Sequence, residues 1–366
     1  MLMNDQFLLQ QVGLSLIPGL GPKRTREVLH LFKDPMDVFR APLRDFEPLG
    51  FFSKEWYQYL HSAAFIQNAE KVVKDCLRLN VDITFIQDSQ YPHRLKNCDD
   101  APVVLYTQGK KALHSTPFMI AIVGSRSTTP YGIDFVNQFI SAIAKHPVTI
   151  VSGLAYGIDQ AAHQQCNALG VPNIACLAHG LHTIYPASHR PLAQQIKNNG
   201  GIVTEYCPGI FAEKERFPMR NRIIAGLCDA TLVIESEKSG GSLITAQFAQ
   251  QYNRDIFALP GRIHDIKSQG CNQLIYQNMA APITDIPQLL KDLGIKEQPE
   301  IPFEPEPLSE NANKTFQTLR SFRELHLDEL QIKTNLSASH FASAIFELEM
   351  CGIIHKLPGS RVATSR

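Results

Sequence analysis

The chain is expected to form an α/β fold whose centre is a doubly wound, mostly parallel sheet, with a small helical region before it and a short separate unit after it. Three observations predict this. Between about residues 80 and 288, short apolar runs alternate with helix-like stretches. Several of those runs are unbroken Val/Ile/Leu rather than alternating, as parallel strands covered on both faces require. A proline-rich acidic stretch, KDLGIKEQPEIPFEPEPLSE at 291–310, cannot build a core and reads as a linker. Repeated strand–helix–strand order gives the doubly wound sheet.

The expected strands are 83–86, 103–106, 120–123, 148–151, 174–178, 202–205, 231–235 and 256–259. Ligands of such sheets sit beyond the carboxyl ends of the strands. The first 75 or so residues look helical. Within them, IPGLGPKRTREVL at 17–29 places two glycines and two prolines in a tight turn before a basic helix start. This resembles a helix-hairpin-helix element, whose turn amides can face a DNA phosphate; the alternative is a helical turn packed for structure alone. No internal repeat is evident.

Composition narrows the class. The 366 residues suffice for two or three domains. With 44% hydrophobic and 19% charged residues, the chain has the balance of a globular protein. No apolar run reaches the ~18 residues of a membrane helix. No basic segment precedes the first apolar residues, so a secretory signal is not expected and the cytoplasm is the default. The eight cysteines, at 76, 98, 166, 176, 207, 228, 271 and 351, form no C-x-x-C, and free thiols are expected. Formal net charge is zero, with 35 basic and 35 acidic residues. The 291–310 stretch holds six acids against two lysines, which leaves the rest mildly basic and permits a basic groove.

Four strand-to-helix turns carry the chemistry. In MIAIVGSRSTTPYG, 119–132, the apolar strand runs into Gly124, Ser125 and Arg126, then a polar turn and a helix. In VSGLAYGID, 151–159, Ser152 and Gly153 follow the strand, and Asp159 stands near the next helix start. In ESEKSGGSLITAQFA, 235–249, Gly240, Gly241 and Ser242 open a helix, where bare amides and hydroxyls make an anion nest. PGRIHDIKSQGCNQLI, 260–275, is the fourth. One such turn alone signals only a tight bend; four at the strand ends of one sheet signal a binding cleft.

Arg220, Asn221 and Arg222 in FPMRNRIIAGL, 217–227, are expected just before the strand DATLVIE. The planar guanidinium suits phosphate. The competing assignment is a solvated face or an ion pair with Glu205 or Glu235. What is missing also informs: there is no Walker lysine, no dinucleotide fingerprint acid and no G-x-S-x-G elbow. His179, His182 and His189 lack a third ligand at metal spacing, so no metal is expected. Asp159 and His163 are expected as a helix cap and a satisfied core histidine rather than a catalytic pair.

Past the linker, 313–366 reads helix, short helix, turn, helix and hairpin, and resembles a winged helix. Asn335 marks the turn, Ser337 a helix cap, and Phe341, Ile345 and Leu348 a buried face. The wing is expected around Pro358-Gly359. The would-be recognition helix, SASHFASAIFELEMC, has no Arg or Lys, which argues for a protein-contact or accessory role over duplex reading.

Taken together, AIVGSR…YG, VSGLAYGIDQAAH, the G-x-x-x-x-YP of residues 180–186, GGIVTEY, FPMRNRIIAGL, SGGSLITAQFA and LPGR…QGCNQLI resemble the DNA-processing protein A (DprA/Smf) family, in its order, over residues 119–275. The resemblance implies a SAM-like helical domain at 1–78, a Rossmann-like DNA-binding domain at 79–290, the linker at 291–312 and a winged helix at 313–366. It implies a non-catalytic protein with no cofactor. Such a protein binds single-stranded DNA, dimerises through the Rossmann-like domain and loads the RecA recombinase during natural transformation. Gly124, Ser125 and Arg126 would meet backbone phosphates. Ser152, Gly153, Arg220, Asn221, Arg222, Gly240, Gly241 and Ser242 would line the same cleft. The family's basic residue and Asn after Tyr185-Pro186 are replaced here by Ala187, Ser188, His189 and Arg190, of which His189 or Arg190 is the candidate substitute. Thr204-Glu205 replaces the common Ser-Glu.

A single strand presents one phosphate per nucleotide and needs several cradles along a track, with aromatic rings to stack bases. Tyr131, Tyr185, Phe211 and Phe217 are the candidate stackers. The alternative is a nucleotide-hydrolysing enzyme of the phosphoribohydrolase, lysine-decarboxylase-like fold, which the P-G-G-x-G-T-x-x-E resemblance of residues 239–247 suggests. That motif's glutamate has no acidic counterpart here. Without such a general acid/base a rate would fall ~10²–10⁴-fold.

Overall fold

A computed structural model of the chain describes residues 3–32, 36–110, 117–295, 308–322, 324–351, 353–357 and 360–364. It forms two compact units, Met1–Lys296 and Glu297–Arg366. The first opens with helices α1 (Met3–Ser15), α2 (Gly21–Phe32), α3 (Lys54–Leu60) and α4 (Ala63–Leu79). The α1–α2 turn relies on Gly19 and Gly21, both at positive φ, which glycine adopts without strain. Of the basic residues that open α2, Arg24 lies over the Phe51 and Trp56 rings and Arg26 donates to the carbonyl of Cys98.

The remainder of this unit runs β1 (Asp82–Phe85), α5 (His93–Lys96), β2 (Val104–Gly109), β3 (Phe118–Val123), α6 (Pro130–Ile143), β4 (Val148–Ser152), α7 (Ile158–Leu169), β5 (Asn173–Cys176), α8 (Arg190–Asn199), β6 (Gly201–Thr204), α9 (Arg216–Leu227), β7 (Ala230–Val233), α10 (Gly241–Gln251), β8 (Asp255–Ala258), α11 (Gln269–Tyr276), β9 (Ala281–Pro282) and α12 (Ile286–Asp292). The sheet order is β1-β2-β6-β5-β4-β3-β7-β8-β9. From β6 to β9 every pair is parallel; β1 and β2 are antiparallel additions at one edge. The sheet is doubly wound, and its strands are the apolar runs of the sequence with one addition, the two-residue β9.

The unbroken apolar runs divide between two cores. Along β3, Met119, Ala121 and Val123 pack into a core shared with α1, α2 and α4, while Ile120 and Ile122 face Val136, Phe139 and Ile140 of α6. The N-terminal helices thus share their core with one face of the sheet. The chain leaves β3 in one direction to β4, β5 and β6, then returns across it to β7. That reversal puts a crevice at the carboxyl ends of β3, β4 and β7.

Arg220, Asn221 and Arg222 stand before β7, as expected, and they do so within a helix, α9. Ile223, Ile224, Ala225, Gly226 and Leu227 are all buried there, so this helix runs under cover and shows no amphipathic stripe.

The second unit contains α13 (Glu310–Arg320), β10 (Glu324–His326), α14 (Leu327–Thr334), α15 (Ala338–Met350), β11 (Ile354–Leu357) and β12 (Arg361–Thr364), with a sheet ordered β10-β12-β11. Leu319, Leu330, Phe341, Leu348 and Val362 form its core. Asn335 ends α14 in the left-handed region, and the Ser337 hydroxyl accepts the His340 N–H. The expected wing tip, Pro358-Gly359, and most of the 291–312 linker lie outside the described residues.

Candidate nucleic-acid interface

A cleft of about 770 Å³ opens where the chain reverses, lined by the loop after β3, the start of α7, α9 and the start of α10. Its first wall is the 124–127 turn. A Cβ on Gly124 would stand 2.5 Å from Ile158 Cγ1, so glycine lets β3 pack against α7. The Ser125 hydroxyl donates to the Ser127 carbonyl and accepts the Ser127 N–H, which closes the turn on itself. Gly157, at φ +81°, fits against Ser125, and Ile158 N–H donates to the Ser125 carbonyl. Behind them the buried carboxylate of Glu235, just past β7, accepts the Thr129 N–H and hydroxyl. Thr129 in turn caps α6. Two neighbouring strands therefore fix this turn.

Arg126 projects from it. Its guanidinium lies 5.5 Å from the Phe217 ring centroid, and Phe217 packs 5.7 Å from Tyr185. Among the described residues no carboxylate pairs with it.

The opposite wall is the start of α10. The Gly240 N–H donates to the Glu237 carbonyl, and a Cβ there would meet Ser236 Oγ at 2.3 Å. Gly241 has nothing within 4 Å of a Cβ; its space is the cleft itself. At the start of α10 the Leu243 N–H donates to the Gly240 carbonyl, and the amides of Gly241 and Ser242 before it carry the positive end of the helix dipole. Ser242 donates its hydroxyl to Ser236.

The floor is Arg220, 4% exposed. It donates to the Gly153 and Cys176 carbonyls and to Asn221 Oδ1, and Asn221 donates on to the Gly241 carbonyl. Burial holds the Arg220 pKa below its ordinary value, and Asp159 partly offsets it. Burial likewise pushes the Asp159 carboxyl up, against Arg220 and the backbone donors. Asp159 accepts the N–H groups of Gly153 and Ala155, so it organises the loop before α7.

Eight predicted residues meet at the cleft: Gly124, Ser125, Arg126, Arg220, Asn221, Gly240, Gly241 and Ser242. Four stand elsewhere. Ser152 is fully buried and ties β4 to β3 by donating to the Ile122 carbonyl. Gly153 backs Arg220, whose Nη1 would lie 2.3 Å from a Cβ there. Arg222, 1% exposed, pairs with Glu205 and donates to the Asp100 carbonyl. Burial pushes the Glu205 carboxyl up, opposed by that guanidinium. Arg190 is exposed outside the cleft lining. His189 is buried, with both ring nitrogens bonded, to the Leu154 carbonyl and to Gln160.

Two lysines that line the cleft were not singled out from sequence. Lys214 precedes FPMRNR, and Lys267 lies in the fourth glycine turn, paired at 2.6 Å with Glu237 on the rim. Of the candidate stackers, Tyr185 and Phe217 line the cleft. Phe211 packs edge-on to His182, and Tyr131 donates to the Pro260 carbonyl. His163 is buried against Asn173, with its pKa pushed down to about 4 by burial. Among the described residues no group of three His, Cys, Asp or Glu could hold a metal, all eight cysteines are free, and no helix is long and apolar enough to cross a membrane.

The fold and cleft define a class: an α/β protein with two glycine turns facing one cleft at a topological switch point, and a separate winged-helix unit. The profile of the DNA recombination-mediator protein A family matches residues 82–294, and that of the DprA winged helix domain matches 299–360. The chain belongs to the DNA recombination-mediator protein A family. It is 31% identical to a Synechocystis Smf protein over 95% of this chain and 96% of that one. A crystal structure of the Streptococcus pneumoniae DNA processing protein A, 32% identical, superposes with a TM-score of 0.63 over 78% of this chain and 97% of that one. A Helicobacter pylori DNA processing protein A, 30% identical, superposes with a TM-score of 0.53 over 58% and 95%; that structure concerns its single-stranded DNA binding mode.

Proposed function

We propose that the protein binds single-stranded DNA in this cleft without catalysing a reaction on it. In this role it covers incoming single strands during natural transformation, in the cytoplasm, and delivers them to the RecA recombinase. It works as a homodimer through the Rossmann-like domain.

The observation that carries the reading is Arg126: an unpaired guanidinium over an aromatic ring, held between two glycine turns. That combination offers charge to a phosphate and a face to a base at one point. The single-strand binding mode of the Helicobacter relative supports it. Three lining carboxylates bear on the hydrolase alternative. Asp159 is occupied by backbone amides, Glu237 by Lys267, and Glu213 by Arg216. We assign the winged helix a protein-contact role. Its α15 exposes Phe346 and Met350 and carries no Arg or Lys.

Titration with a labelled oligo-dT and with a duplex is the test. Strong single-strand preference is expected, with log affinity falling against log salt by ~0.7 per phosphate neutralised. Equal duplex binding, or release of free base from AMP with turnover, would overturn the reading.

A further inference from the structure

We propose that a strand leaving the cleft passes over a second station outside it, where Tyr156 stacks a base and Arg190 takes the adjoining phosphate. This rests on single-strand binding in the cleft and extends it.

A volume of about 770 Å³ is that of a pocket enclosing one small ligand, ~300–1,000 Å³. A strand of many nucleotides outgrows such a volume and has to run out over the rim. Ala155 and Tyr185 form one part of that rim. Tyr156 follows Ala155, and Ser188 belongs to the same loop as Tyr185. The two loops meet there, with Tyr156 Oη 3.0 Å from Ser188 Oγ. The Tyr156 ring packs edge-on against His189, centroids 4.8 Å apart at 71°. It stays 48% exposed, so a face is open to solvent.

The support beneath it is firmly held. His189 bonds the Leu154 carbonyl and Gln160, and Asp159 gathers the amides of Gly153 and Ala155. Leu154 is fully buried at φ +55°, a conformation that a bulky residue keeps only where its surroundings enforce it. A tyrosine on such a base loses little freedom when it stacks. Next in the chain after His189 comes Arg190, which opens α8. It is exposed, and no side-chain partner holds its guanidinium among the described residues. An exposed ring and an unpaired arginine thus recur outside the cleft, the same chemistry as Phe217 and Arg126 within it.

The test compares labelled oligo-dT of about 4 and about 16 nucleotides, the range of single-strand site sizes. Tyr156→Ala and Arg190→Ala are each expected to weaken the long oligonucleotide roughly fivefold or more and leave the short one unchanged. Tyr156→Phe, which keeps the ring, retains long-oligonucleotide affinity. Arg190→Ala also lowers the salt slope by ~0.7, for the long oligonucleotide only. Unchanged binding at both lengths, or equal losses at both, would overturn the second station. Arg126→Glu is the control for the cleft: it weakens both lengths, and if it weakens neither, the cleft reading fails rather than the station alone.

Discussion

The loop after β3 and helix α9 both bring arginine to the same end of the sheet, and they use it in opposite ways. Arg126 sits on a turn already closed by its own serine and by Glu235 behind it, so its guanidinium is left over for a ligand. In α9 the guanidiniums hold the scaffold together. Arg220 satisfies two strand-end carbonyls, and Arg222 neutralises Glu205 in the interior. Residue type therefore does not assign the role here; what already occupies the guanidinium does.

That contrast can be broken at its buried end first. Arg222→Ala leaves the Glu205 carboxyl buried and unpaired, a loss of ~3–5 kcal/mol. Chemical denaturation should show a lower midpoint, while protein that remains folded keeps its oligo-dT affinity. A normal midpoint with lost affinity would return Arg222 to the binding surface.

The next effect belongs to a glycine. Gly240 and Gly241 are adjacent, yet a Cβ at the first collides with Ser236 and at the second meets open cleft. Gly241→Leu should fold normally and lower oligo-dT affinity ~100-fold or more, because the new side chain occupies the space of the strand. Isothermal titration checks it, with a thermal melt as the folding control. Retained affinity would mean that the strand does not approach the start of α10.

The smallest effect is at the rim. The Lys267–Glu237 pair is exposed on its acidic side and contributes ~0–1 kcal/mol at most to stability. Glu237→Gln frees Lys267 for phosphate and removes a like charge from its path. Affinity should rise a few-fold at low salt, and the gain should fade as salt screens it. A weakened complex would contradict a competitive role for Glu237.

The sheet could be read from the chain because its strands are covered on both faces, so unbroken apolar runs such as 120–123 stand out. Strand β9 could not: two residues, one a proline, carry no periodic signal. The glycine turns were visible as spacing, and eight predicted positions meet at the cleft. Arg222 and Ser152 lie away from it: the ion pair with Glu205, the competing assignment from sequence, is the one the fold makes for Arg222, and Ser152 is claimed by the Ile122 carbonyl of the neighbouring strand. Lys214 and Lys267 escaped notice for the converse reason. Ordinary surface lysines in sequence, they acquire meaning only when α9 and the turn before α11 converge on one rim. His189 and Arg190 show the limit most clearly. They are adjacent candidates for one role, separated only by the burial of the first.

The most direct test of the account is oligo-dT titration of wild type and Arg126→Glu at two salt concentrations, with thermal stability measured alongside. The account predicts an unchanged melting temperature and a large loss of affinity. It also predicts a salt slope shallower by ~0.7 or more for the variant. Unchanged affinity and slope in a folded Arg126→Glu protein would contradict it.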